Sequence, residues 1–306
     1  FKYMMAEFND CLKANDLEGV QDPKKFAEWQ PKIEAYRAAL EKGIENHKIE
    51  LPDSQEALWA QGFDAVDYLY REKLLSDDEF KITDSAAREI AAKIAKSEWT
   101  AVEVLEAFAK RAVIAHQFTN CAQEVFIEEG LERAKYLDKY LAENGKTIGP
   151  LHGLPISLKE HFGYGGKIVN GSFVGCLDNI AEKHGPTVQV LEDLGAVFYV
   201  RTNQPQGLMH LCSENNITGM TKGPFNLQLT AGGSSSGEGA IVAFGGSPIG
   251  MGTDIGGSVR NPAAYSGCHG FKPTAARVSI AGGVHGGGTN DSVAPTAGPL
   301  SRSIDD

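Results

Sequence analysis

Residues 230–262 read TAGGSSSGEGAIVAFGGSPIGMGTDIGGSVRNP, and this stretch restricts the fold more than any other. Two glycine-flanked serine sites, Gly232-Gly233-Ser234-Ser235-Ser236-Gly237 and Gly256-Gly257-Ser258, bracket one apolar segment. Glycine opens backbone conformations that a Cβ forbids. A serine among glycines can therefore present its hydroxyl and neighbouring N–H groups to a substrate. Either motif alone reads more readily as a Gly/Ser loop without chemistry. The composition around them sharpens the constraint: of the 35 glycines, only Gly19, Gly43, Gly62 and Gly130 precede Gly145. Charge runs the other way, with 19 basic and 29 acidic side chains in residues 1–144 against 10 and 11 in 145–306. A charged, helix-compatible front is followed by a nearly uncharged region where backbones approach closely.

The periodicity fills in that outline. Residues 28–48 are dense in Ala, Glu and Lys and predict a helix with a charged outer face. Pro52-Asp53 breaks it, and residues 55–75 resume it, with Phe63, Tyr68 and Tyr70 expected to pack. Asp84 or Ser85 is expected to cap a helix carrying Ile90 and Ile94. Thr100 and Glu103 fit a capping box, opening a helix with Leu105, Phe108, Ala109, Ala112 and Val113 on one side. Residues 124–127 read as a short strand. Residues 130–143 read as a helix ended by Asn144-Gly145. A buried strand over 154–158 delivers Lys159 at its end. Pro186 opens a helix through residue 193, and 196–200 is again a strand. A short helix over 205–211, a helix over 238–244 and a strand over 248–251 complete the pattern. Alternating helix and strand predict α/β layering around a largely buried sheet.

Lys159 stands in Leu151-His152-Gly153-Leu154-Pro155-Ile156-Ser157-Leu158-Lys159-Glu160, and Lys159, Ser234 and Ser258 are 75 and 24 residues apart. Together the three contexts resemble the amidase signature family over about residues 83–306, most closely its fungal acetamidase-like amidases and fatty-acid amide hydrolase. The resemblance implies an α/β amidase-signature fold, with a mixed β-sheet core covered by helices. Residues 1–80 would be an N-terminal helical extension and 81–306 the catalytic domain. Because the family normally continues beyond the Gly298-Pro299-Leu300-Ser301-Arg302-Ser303 region, the chain is expected to be C-terminally incomplete. The resemblance also assigns Ser258 as nucleophile, Ser234 as proton relay and Lys159 as base. It makes the N–H groups of Ile255, Gly256, Gly257 and Ser258 the oxyanion hole, sets Leu208 in the substrate pocket and implies a cis Gly233–Ser234 peptide. The implied reaction is hydrolysis of a carboxylic amide to acid plus ammonia or amine through an acyl-serine, without metal or cofactor.

Physical chemistry sets conditions on those roles. A lysine base must be neutral, so its pKa has to fall well below the usual ~10.4, which desolvation can achieve. Between Lys222 and Arg260 only Glu238 and Asp254 carry charge. The competing reading of Lys159 is an ion pair with Glu160 or Glu238. Asp254 and Arg260 read as a structural ion pair, and Ser235 either donates to Lys159 or fills the loop. His210, His269 and His285 lie outside the motifs. Two positions depart from the family pattern: Ser236 replaces a usual glycine and Glu160 a usual aspartate. No His/Cys/Asp cluster has metal spacing, and the glycine runs match neither a P-loop nor a dinucleotide fingerprint.

The formal net charge of −11 argues against a nucleic-acid surface. No window approaches the ~18 consecutive apolar residues of a membrane span. Cysteines 11, 121, 176, 212 and 268 are scattered and read as reduced thiols, so the expected location is cytoplasmic, with a removed leader left open. The expected partner is a small-molecule amide substrate, and a homodimer stays open. Two other functions remain: the glutamine-hydrolysing subunit of a tRNA-dependent amidotransferase, and a non-catalytic homologue or fragment acting as a binding partner.

Overall fold

The computed structural model describes residues 23–285 and 292–306. The first 22 residues, with Cys11, and residues 286–288 of the glycine-rich run lie outside the described residues. The predicted front helix is α1 (Pro23–Ile44). The pattern over 55–75 is split into α2 (Gln55–Ala60) and α3 (Ala65–Arg71), because Gly62 between them turns left-handed at φ +65°. Ser54 and Asp64 cap these two helices through their side chains. α4 (Asp77–Thr83) opens on a Ser76/Glu79 capping box. The next helix, α5 (Ala87–Ala95), corrects one expectation: it starts after Ala86 with no side-chain cap. Asp84 is engaged elsewhere, accepting from the buried Arg111 guanidinium at 2.6 Å and from the Tyr70 hydroxyl at 2.7 Å. A charge-assisted bond of that kind outweighs a neutral cap. α6 (Ala101–Thr119) has the predicted Thr100/Glu103 box and is buried on nearly every face, as befits a helix at the centre of a layered fold.

β1 (Ala122–Val125) leads into α7 (Ile127–Asn144), which Gly145 ends in the left-handed region. β2 (Pro155–Lys159), α8 (Pro186–Asp193) and β3 (Val197–Thr202) follow, close to where the pattern predicts them. The helix predicted over 205–211 does not form. Gly207 and Leu208 both take positive φ, at +67° and +64°, and leave one short turn. After a ribbon of β4 (Lys222–Gly223) and β5 (Asn226–Thr230) come α9 (Ser236–Phe244), β6 (Ile249–Asp254), α10 (Arg260–Ser266), β7 (His269–Gly270) and β8 (Thr296–Ser301). The main sheet runs β1-β3-β2-β6-β8-β7. β2 is parallel to both β3 and β6, whereas the β1–β3, β6–β8 and β8–β7 pairs are antiparallel. The architecture is therefore an α/β fold with a mixed sheet among helices and helices in front of it.

Alternation along β2 decides what faces what, because successive strand side chains point to opposite faces. Ile156 and Leu158 pack with Val188 of α8, Phe198 and Met251. Ser157 and Lys159 face the other way, toward α9 and the loop before it. The main core joins α6 to the sheet and to the front helices, with Leu40, Ile44, Leu58 and Leu69 in the same cluster as Phe108 and Val113. α9 approaches the sheet through glycine. A Cβ on Gly237 would lie 2.2 Å from the Cys121 carbonyl oxygen and 2.4 Å from the Asn203 nitrogen, both backbone atoms that cannot step aside.

That approach distinguishes two motif glycines. Gly237→Ala should cost about 1–3 kcal/mol through overpacking and lower the unfolding midpoint by several degrees. Gly256→Ala should leave it within about 0.5 kcal/mol, the usual range for an open site, because nothing lies within 4 Å of a Cβ there. Urea or thermal melts of the two variants check this, and equal midpoints would show that the close approach is relieved elsewhere.

Candidate active site

The end of β2 carries Lys159 into a fully buried position beneath the Ser234 loop. Its Nζ lies 2.7 Å from Ser234 Oγ and 3.3 Å from Thr253 Oγ1. The Gly233–Ser234 peptide is cis. Ser234 and Ser258 line one cavity, together with Thr253, His161, Leu208 and Ile255. Ser235 neither donates to Lys159 nor stands idle. Its N–H donates to the Ser258 carbonyl oxygen at 3.0 Å, and its hydroxyl meets the Thr253 backbone at 3.3 Å, which joins the two serine loops to β6. Ser236 is accommodated as the first residue of α9, with its hydroxyl buried.

Lys159 has no carboxylate within ion-pair distance among the described residues, so neither predicted ion pair forms. Glu160 turns away and accepts from the N–H groups of Asn170 and Gly171 and from Gln204. Glu238 accepts from the hydroxyls of Ser157 and Thr202, each at 2.6 Å. Burial pulls the Lys159 amine down to about 7, against the opposing pull of Glu238 and Asp254. Burial likewise pushes the Glu238 carboxyl up to about 7, against the two hydroxyl bonds and Lys159. Both shifts follow from desolvation disfavouring the charged form.

Asp254, at the end of β6, organises the Ser258 loop. It accepts from the N–H groups of Gly257 (2.7 Å), Val259 (3.0 Å) and Arg260 (3.3 Å), and from the Arg260 guanidinium at 2.9 and 3.0 Å. Burial raises its pKa, but these bonds, Arg260 first, outweigh burial and hold the carboxyl at about 2. Gly257 takes φ +130°, a conformation that favours glycine. Its N–H is spent on Asp254, unlike the expectation that it donates to an oxyanion. The N–H groups of Ile255, Gly256 and Ser258 are not held by that carboxylate.

Leu208, with Met209 beside it, lines the cavity wall, as does His285. His210 and His269 do not line it. Two residues at the site escape the sequence reading. His161 follows Lys159 by two positions, and Thr253 is next to last in β6, beside Asp254. β2 ends at Lys159 and the chain turns over 160–161, so no periodicity in the sequence pointed to His161. Among the described residues no group of three or more His, Cys, Asp or Glu is placed to hold a metal ion, and no helix is long and apolar enough to cross a membrane. A larger cavity of ≈ 770 Å³ lies between α1 and β1, lined by Tyr36, Glu124 and Lys167. It holds none of the three motif residues.

The profile of the family described as Amidase matches residues 103–306. The acetamidase of Emericella nidulans is 39% identical over 279 residues, covering 91% of this chain and 50% of that protein. An amidase of Gibberella moniliformis is 42% identical over 252 residues, covering 79% and 46%. A solved structure of a fatty acid amide hydrolase superposes with a TM-score of 0.92 at 58% identity, over 95% of this chain and 51% of that one. The chain thus spans about half the length of the curated relatives it matches.

The depressed Lys159 makes a signed prediction. Its amine is charged below about 7 and neutral above, so phosphonylation of Ser258 by a fluorophosphonate should rise with pH through about 7 and then level. Lys159→Ala should slow it by about 10²–10⁴-fold, the usual worth of a proton acceptor. Lys159→Arg should fail nearly as badly, because guanidinium stays charged. Substantial labelling of a folded arginine variant would show that Lys159 acts only as a fixed charge.

Proposed function

Because this chain belongs to the amidase family, we propose that it hydrolyses carboxylic amides through an acyl-serine on Ser258. The observation that carries this reading is the 2.7 Å contact between the buried Lys159 amine and Ser234 Oγ, made with no carboxylate at ion-pair distance among the described residues. A nucleophilic hydroxyl needs a route for its proton and a place for the oxyanion. Ser258 attacks the amide carbon, its proton passes to Ser234, and the Ser234 proton passes to the Lys159 lone pair. The oxyanion develops beside the N–H groups of Ile255, Gly256 and Ser258, while Gly257 stays with Asp254 and keeps the loop in shape. Return of the proton along the same path protonates the leaving nitrogen, and water then releases the acid. Leu208 and Ile255 contribute apolar walls beside the reacting carbonyl.

The substrates follow from the relatives and the lining together. Small aliphatic or aromatic amides fit the likeness to acetamidases, and longer fatty amides fit the likeness to fatty acid amide hydrolase. The test is ammonia release from a series of primary amides of increasing acyl length, with glutamine included, alongside capture of the acyl-serine by mass spectrometry. Ser258→Ala should lose the acyl adduct and slow turnover by at least about 10³-fold. An adduct on another serine, or turnover of glutamine alone, would overturn the proposal.

A further inference from the structure

Thr253 Oγ1 stands between two nitrogens, 3.3 Å from Lys159 Nζ and 2.8 Å from His161 Nε2. We propose that His161 is a positioning residue which, through Thr253, decides the direction of the hydrogen bonds at Lys159 and keeps its lone pair turned to Ser234. The inference rests on the amidase reading above, since it concerns how Lys159 accepts the Ser234 proton.

The argument is a count of protons. A hydroxyl has one to give, and a neutral amine has one lone pair. If Thr253 gives its proton to His161 Nε2, it can accept from a lysine N–H, and the lone pair is left for the Ser234 hydroxyl at 2.7 Å. If Nε2 carried a proton instead, it would donate to Thr253. The threonine hydroxyl would then turn to the lysine lone pair and compete with Ser234. Only the first arrangement leaves a base facing the relay serine.

The surroundings suit that arrangement. His161 is buried, and burial lowers its pKa well below the ordinary value, with Lys159, His285 and Arg201 pushing the same way. Its ring therefore stays neutral where Lys159 titrates, with Glu238 of α9 and Asp254 of β6 as the charged groups acting on that amine. Nδ1, which carries the proton in this arrangement, has no hydrogen-bond partner among the described residues. It faces the loop at Gly283, where a Cβ would lie 3.2 Å from Nδ1.

The experiment measures kcat and KM for one short amide across roughly pH 6–10, together with fluorophosphonate labelling of Ser258. The proteins are the parent, His161→Leu, His161→Gln, Thr253→Val and the His161→Leu/Thr253→Val double variant. His161→Leu should lower kcat by about tenfold or more, the effect of one misdirected hydrogen bond, with KM little changed. The loss should persist above the acid limb, because the lone pair is occupied even in the neutral amine. Glutamine, whose Oε1 can accept in place of Nε2, should keep most of the rate. Thr253→Val should slow the parent yet leave the leucine variant no slower, since it removes the competing hydroxyl. A leucine variant at full rate, equal losses in glutamine and leucine, or additive losses in the double variant would overturn the inference. The double variant keeps the test sharp if leucine also loosens the fold, because a second core change would not then be silent. An active, labelled parent with any of those outcomes sinks this inference alone, whereas a parent that neither labels nor turns over an amide sinks the amidase reading with it.

Discussion

A buried amine with no carboxylate at ion-pair distance among the described residues is the constraint on which the rest of this structure depends. Taking a lysine out of water disfavours its charge strongly, and a nearby carboxylate would restore the charge and remove the base. Two carboxylates do stand near Lys159, and both are turned to other work. Glu238 is held by Ser157 and Thr202, and Asp254 by Arg260 and the loop behind it. The alternation of β2 achieves the first of these directly. The face that carries Lys159 also carries Ser157, so the hydroxyl that restrains Glu238 is two residues from the base it protects. Gly250 completes the restraint from β6, where a Cβ would lie 1.8 Å from Glu238 Oε2.

The glycines serve that same end. They are concentrated where α9 and the two serine loops must touch the sheet, and Gly237 lets the start of α9 rest on the backbone of Cys121 and Asn203. Were α9 lifted, Ser234 would leave the lysine and Glu238 would be freed from Thr202. Close approach, hydrogen-bond direction and lysine pKa are consequences of one packing decision. Among the described residues the charge-rich helices in front do not line the serine cavity. They close the core around α6 by contributing Leu40, Leu58 and Leu69.

Much of this was legible in the residues, and what escaped has physical causes. The capping box at Thr100, the Gly145 stop and the buried strand at 154–158 are local signals, and local hydrogen bonds and periodicity produce them. The helix over 205–211 failed because Gly207 and Leu208 take left-handed φ, which for Leu208 no propensity records. The cap at Asp84 failed because Arg111 comes from 27 residues away. β8 was unreadable for a similar reason. Pro299 argues against an inner strand, yet β8 lies between β6 and β7. The three motif residues could be named from their contexts, but their relation to His161 and Thr253 depends on β2 and β6 lying side by side.

The loop at Asp254 shows why a motif does not by itself assign its donors. Gly256 and Gly257 are adjacent and look equivalent in sequence, but only Gly257 takes a positive φ, and only its N–H turns back to the carboxylate. A donor already satisfied by an ionised acceptor gains little from an oxyanion that forms for an instant. Its value is to hold the loop in advance, so that the neighbouring donors need no reorganisation when charge develops. One aspartate held at about 2 therefore stays ionised wherever Lys159 is neutral, and its bonds to the N–H groups of Gly257, Val259 and Arg260 do not depend on the charge of that amine. Lys159 and Glu238 both titrate near 7, while the geometry around Ser258 is kept by a group that does not titrate with them.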